Sequence, residues 1–179
     1  MLDSTTQTVP AASAQVRTGT PADLDEVMRL GLLAAEENGL GKPNVGKILE
    51  KVWSALAQGA ARTDGRSLGI IGVVGGAPGS PLEGFILLEV GAQWYSDDTV
   101  IEERIVYVHP DHRSGRLGRA RMLTDFGKQV ADRIGAPLLI GVLSNARTEA
   151  KVRLYERSFG PPAGAFFLYN GHTGAADGR

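Results

Sequence analysis

No cysteine occurs in the chain. That excludes disulfides, thiolate metal sites and any covalent mechanism through an enzyme thiol. Aromatic residues amount to only 6%. No apolar run approaches the roughly 18 residues a membrane helix needs. The opening MLDSTTQTVP has no basic stretch followed by an apolar one, so it does not read as a secretory signal, and the expected compartment is the cytoplasm. An excess of charge of either sign is also missing. Lys+Arg number 19 and Asp+Glu 20, for a net charge of −1, which argues against a generic nucleic-acid binder unless the charge is segregated. What is present is ordinary for a globular protein: 42% hydrophobic and 22% charged residues, with 24 glycines, over 179 residues. This length suits one domain with a core that needs no staples.

Residues 1–13 and 171–179 are small, polar and without period, and read as disordered tails around one domain over 14–170. A short strand is expected at Gln15–Arg17. Thr20-Pro21 then starts a helix over 21–37, with Leu24, Val27, Met28, Gly31 and Ala35 at helical spacing and Asn38-Gly39 as its stop. A second helix fits 44–58, capped by Asn44. Leu68–Val74, Gly84–Gln93 and Val100–Val108 read as an antiparallel meander, with turns at 75–81 and around Asp97-Asp98. The period becomes helical again from Arg116 to Ile134, where Gly135 and Pro137 end it. A strand at Leu138–Leu143, a helix at Asn145–Phe159 capped by Ser144 or Asn145, and a strand at Phe166–Tyr169 complete the order β-α-α-β-β-β-α-β-α-β. This is an α/β arrangement around one mixed sheet.

One segment carries chemistry. An apolar strand ends at Val108, Pro110 stops it, and a loop bearing Gly115 and Gly118 runs straight into a helix. Free N–H groups and the dipole at a helix start are what a phosphate needs. Between Arg113 and Arg133 there are six Lys/Arg against two Asp, a local +4 inside a near-neutral chain. The same residues also suit a solvated helix face after a tight turn. A dinucleotide fold would need its glycine loop in the first βα unit and a G-x-G-x-x-G spelling. A Walker loop would need G-K-[ST]. Neither is present.

The stretch PDHRSGRLGRARML resembles the acetyl-CoA-binding motif of the GNAT N-acetyltransferases, [QR]-x-x-G-x-[GA] after a strand ending in V-x-P. Arg113 matches the first position and Gly118 the last. Leu154-Tyr155-Glu156-Arg157-Ser158-Phe159-Gly160 is similar to that family's L-Y-E-[RK]-x-G-F, with the last two residues exchanged. The element order agrees over about residues 14–170. Two positions depart from the pattern. Arg116 stands where the family has its first glycine, with Gly115 one place earlier. Thr148 stands seven before the tyrosine, where many relatives have Asn, and the nearest Asn is Asn145.

The resemblance implies a GNAT acyl-CoA N-acyltransferase fold and acetyl-CoA as co-substrate. It implies that the backbone of Val106, Tyr107 and Val108 pairs with the pantetheine arm, and that an N–H near Tyr107 or Val108 polarises the thioester carbonyl. The amides of Ser114, Gly115, Arg116, Leu117, Gly118 and Arg119 would hold the pyrophosphate, with Arg113, Arg116 and Arg119 adding charge and Asn145 a further contact. Tyr155 would protonate the departing thiolate; otherwise it is a core aromatic on the face of Val152 and Phe159. Glu102, six residues before Val108, stands where the histone-acetyltransferase branch has its base. Period 2 puts Glu102, Arg104, Val106 and Val108 on one face and Glu103, Ile105 and Tyr107 on the other. The alternatives are an exposed strand end paired with Arg104, and a water chain as base.

The acceptor would be a primary amine: a small molecule, a peptide N-terminus or a lysine. Glu36, Glu37, Trp94, Tyr95, Asp97 and Asp98 are candidates to receive a cationic one. His109 and His112 flank the loop without metal-ligand spacing. Without cysteine, transfer would be direct to the amine. A homodimer is admitted by the resemblance, since many relatives dimerise. The rival readings are a GNAT-shaped module that binds coenzyme A or a protein without catalysis, and a tRNA-directed acetyltransferase, which the net charge disfavours.

Overall fold

The computed structural model describes residues 15–39, 41–57, 68–114, 118–142 and 148–165. In chain order the elements are β1 (Val16–Thr18), α1 (Leu24–Asn38), α2 (Val45–Ala57), β2 (Leu68–Gly75), β3 (Leu82–Ala92), β4 (Thr99–Val108), α3 (Arg119–Ile134), β5 (Leu138–Ile140) and α4 (Thr148–Phe159). This is the expected order as far as the described residues reach. The last strand, Phe166–Tyr169, both tails and the caps Ser144 and Asn145 lie outside them, as does the helix start at Arg116. The described helix begins at Arg119, and β5 ends at Ile140.

The five strands lie in the order β1-β2-β3-β4-β5, antiparallel throughout except for the parallel pair β4–β5. The first helix is prepared by a 3-10 turn at Pro21–Asp23. Thr20 donates to Asp23 Oδ2 from its backbone N–H (2.8 Å) and from its hydroxyl (3.0 Å). Asn44 caps α2, accepting from the Lys47 N–H at 3.0 Å. The expected stops Gly39 and Gly135 end α1 and α3.

Each sheet face carries its own core. On one, Val27 and Leu30 of α1 and Val52 and Leu56 of α2 pack on Ile71, Val73, Phe85, Leu87 and Tyr107. On the other, Leu123 and Val130 of α3 pack on Val74, Ile86, Leu88, Ile101, Val106 and Val108. Gly72 sets how closely α3 approaches. A Cβ there would lie 2.5 Å from the Phe126 ring and 2.9 Å from Ile86.

The expected division of β4 into faces is corrected. The register pairs Leu87 with Ile105 and Leu88 with Glu103, so Arg104 is an extra residue in a β-bulge. Alternation resets there. Ile101, Glu103, Val106 and Val108 share the α3 face, opposite Val90, Leu88, Ile86 and Gly84, whereas Glu102, Ile105 and Tyr107 share the α1/α2 face. Glu103, not Glu102, therefore stands in line with Val106 and Val108. The β4–β5 pairing covers only Ile101–Glu103 against Leu138–Ile140. Past Glu103, that edge of β4 has no strand partner among the described residues.

Candidate active site

Where β4 and β5 part, the end of β4, the start of α3 and one face of α4 enclose a pocket of about 180 Å³. Val106, Tyr107 and Val108 form its strand wall. Gly118, Arg119 and Ala120 bring the first turn of α3, and Ala150, Lys151, Leu154 and Tyr155 bring α4. Glu37, His112 and Arg113 close the remaining side. Its lining joins apolar side chains, Val106, Val108, Ala120 and Leu154, to charged ones, as suits a ligand with a long apolar arm and a charged end.

Gly118 adopts a left-handed conformation, with φ 54° and ψ 55°, and its carbonyl accepts the first helical bond, from Met122 at 3.0 Å. An L side chain is strained in that region, so glycine is what lets the loop turn directly into α3. The free N–H groups of a 16-residue helix then open beside the pocket.

Arg113 is held on three sides. Its Nε donates to the Val108 carbonyl at 2.6 Å, its Nη2 to Glu37 at 2.6 Å, and its guanidinium lies 5.1 Å from the Tyr107 ring centre. Arg119 donates to Glu83 at 2.5 Å, which holds the Glu83 carboxyl below its ordinary range. These two arginines are the ones expected to add charge at the loop, and each faces a carboxylate here. Both are spent on carboxylates, and Arg113 anchors the end of β4 to α1. Burial raises the Tyr107 phenol, against the Arg113 charge beside it.

Tyr155 is buried, with its ring 6.0 Å from that of Phe159. It thus has the core position expected of a helix-face aromatic and also lines the pocket. Its hydroxyl donates to Glu103 Oε2 at 2.5 Å. Removal from water and the neighbouring Glu103 push the phenol far above its ordinary range, so it holds its proton at neutral pH. Removal from water also raises Glu103, opposed by Tyr155, Lys151 and the Val106 amide.

Glu102 sits on the opposite strand face. Its oxygens accept from Gln93 Nε2 at 2.8 Å and Arg104 Nη1 at 2.9 Å. With Glu103 and Arg104 it borders a second, larger groove of about 740 Å³ between β4, β5 and the end of α4, and Tyr155 borders both cavities.

The structure thus brings Val106, Tyr107, Val108, Arg113, Gly118, Arg119 and Tyr155 together, and leaves Glu102 outside the pocket. Ser114 is exposed and does not line it. Gly115, Arg116, Leu117 and Asn145 lie outside the described residues. Of the acceptor-side candidates only Glu37 reaches the pocket. Trp94 and Tyr95 stack edge to face at the β3–β4 hairpin, 93% and 71% exposed. Sequence reasoning missed Glu103 and Lys151. Lys151 was legible as the residue one helical turn before Tyr155; Glu103 was hidden by the bulge. Among the described residues, no cluster suits a metal ion, and no helix is long and apolar enough to cross a membrane.

No protein-family model and no curated protein matches this chain. Solved structures do match. A probable acetyltransferase aligns with TM-score 0.63 at 19% identity, over 87% of this chain and 95% of its own. An integron cassette protein from the mobile metagenome of Cole Harbour Salt Marsh aligns with TM-score 0.62 at 21% identity, over 88% and 90%. An aminoglycoside acetyltransferase from an uncultured soil metagenomic sample, in complex with sisomicin, aligns with TM-score 0.58 at 14% identity, over 90% and 96%. The mixed five-stranded sheet with its four helices is the fold these acetyltransferases share.

Proposed function

We propose that this chain is an acetyl-CoA-dependent N-acetyltransferase that passes the acetyl group directly to a primary amine. The observation that carries the reading is the convergence of three parts in one pocket: the end of β4, the start of α3 and Tyr155 of α4. Residues 14–170 are its catalytic domain, acting in the cytoplasm.

The residues fit the co-substrate. The edge of β4 past Glu103 can take a pantetheine arm as an added strand takes a partner. The start of α3 at Gly118 suits the pyrophosphate, and Ala120, Ala150 and Leu154 line the apolar stretch between. The co-substrate supplies an activated acetyl thioester. A backbone N–H near Tyr107 or Val108 polarises its carbonyl, and Tyr155 protonates the leaving sulfur. Glu102, on the opposite face of β4, remains the candidate base, acting directly or through water. Gly115, Arg116, Leu117 and Asn145 complete the proposed cofactor contacts. Structural likeness to an aminoglycoside acetyltransferase supports a small-molecule amine, and Glu37 at the rim suits a cationic one.

Calorimetric titration with acetyl-CoA tests the reading. Saturable binding is expected for the wild type, and its loss for Gly118→Trp, which cannot hold the left-handed turn without strain. No saturable binding by the wild type overturns the proposal. Binding without thiol release by any amine, unchanged in Tyr155→Phe, leaves a coenzyme A-binding module instead.

A further inference from the structure

Glu103 is an ionisable side chain that the proposed reaction leaves unused. The bulge at Arg104 turns it onto the Tyr155 side of the sheet, at the point where β4 and β5 part. Its carboxyl lies 2.5 Å from the Tyr155 hydroxyl, on a ring that is itself buried. The other groups that bear on it are Lys151, one turn earlier on α4, and the Val106 amide.

This geometry constrains an acid at Tyr155. If Glu103 is ionised, the phenol proton points at the carboxylate and away from the sulfur. Giving that proton to sulfur would then leave a phenolate and a carboxylate facing each other in a site largely out of water, the arrangement like charges oppose most. If Glu103 is protonated, its own O–H donates to the phenol oxygen, since a protonated carboxyl is a donor. The phenol O–H is then free for the sulfur. The phenol-to-carboxylate bond belongs to the ionised form; removal from water favours proton uptake by Glu103, which reverses that bond.

We infer that Glu103 is the proton reservoir behind Tyr155, donating to the phenol oxygen and replacing the proton that Tyr155 gives to the leaving thiolate. The balance is complete. The amine nitrogen bonds to the carbonyl carbon and gives up a proton to the base; the C–S bond breaks and its electron pair stays on sulfur. The Tyr155 O–H breaks as S–H forms, and the Glu103 O–H breaks as the Tyr155 O–H re-forms. Glu103 is left as a carboxylate and takes a proton from water before the next turnover. The second groove supplies the route, because Glu103 and Tyr155 both border it while Tyr155 also faces the pocket. Glu103 is therefore a positioning residue that acts through Tyr155. The inference rests on the acetyltransferase reading, and the first arm of its test does not depend on activity.

That first arm is infrared titration of the full chain without substrate. A carboxylic-acid C=O band that outlasts the ordinary glutamate range near about pH 4.3 is expected in the wild type and absent in Glu103→Gln. A wild type without that band overturns the inference even if the enzyme is active. The second arm is steady-state kinetics. Glu103→Gln keeps a donor toward the phenol but has no proton to give. Its kcat is expected to fall about 10- to 100-fold, with KM for acetyl-CoA within about twofold. In the wild type kcat falls as pH rises through the Glu103 titration, and that limb is absent in Glu103→Gln. In a Tyr155→Phe background the Glu103→Gln change adds no further loss. An unchanged kcat, an unchanged limb, or a full additional loss in the Phe background overturns the inference. Absence of thiol release by the wild type instead overturns the acetyltransferase reading.

Discussion

Asp23 has no exposed side-chain surface, yet it carries a charge. Arg17 donates to both its oxygens, at 2.8 and 2.7 Å, and the Thr20 and Gly79 amides add bonds at 2.8 and 3.2 Å. These partners hold its carboxyl far below the usual range, with Arg17 the largest cause. Removing Arg17 strands a buried charge, and the expected cost of Arg17→Ala is about 3–5 kcal/mol, measured by urea denaturation. The contribution is present above the ordinary carboxylate range and declines as pH falls through it, because the unfolded chain takes up the proton first. Glu103 runs the other way. Its folded carboxyl titrates above the ordinary value, so its ionisation costs stability as pH rises from that value through the raised one. Glu103→Gln escapes that cost, and its stability relative to the wild type is expected to improve from acid to neutral pH. Denaturation series at both ends check it. Asp23 was legible as a capping residue three after Thr20. Its partner was not, because the bridge to Arg17 and Gly79 depends on where β1 and the β2–β3 turn arrive.

Elements meet at a few decisive positions. Gly72 lets α3 lie against the sheet, and Gly72→Val would drive a side chain into Phe126 and Ile86. Overpacking of this kind costs about 1–3 kcal/mol, read as a lower denaturation midpoint, with partial rescue expected from Phe126→Leu. Arg113 ties α1 to the end of β4 through Glu37, 76 residues away in sequence. Arg113→Ala is expected to weaken acetyl-CoA binding about tenfold by releasing the Val108 carbonyl, equivalent to about 1.4 kcal/mol, and calorimetry reads it. Element identity was largely written in local signals. Pro21, Gly39 and Gly135 punctuate helices, and the apolar runs of β2, β3 and β4, joined by short turns, pair in chain order. The bulge at Arg104 left no local mark, since an extra residue opposite the Leu87–Leu88 step is a fact about two strands together.

At the scale of the molecule, near-neutral charge conceals long-range pairing. The basic stretch after Arg113 draws its acids largely from elsewhere among the described residues: Glu37 for Arg113 and Glu83 for Arg119, with Asp125 locally 3.8 Å from Arg121 and 3.9 Å from Lys128. The absence of cysteine has its own consequence. Thiol-alkylating reagents are expected to leave activity unchanged in a thiol-release assay once the reagent is removed, because the chain has no thiol to alkylate. By itself the sequence determined the kinds and order of the described elements, through caps, turn residues and hydrophobic period, because these signals act within a few residues. Only the tertiary structure decided which face of β4 each glutamate takes, that Glu103 rather than Glu102 meets Tyr155, and that Arg113 and Arg119 are spent on distant carboxylates. Those outcomes depend on register and on contacts between segments far apart in the chain, which no local pattern encodes.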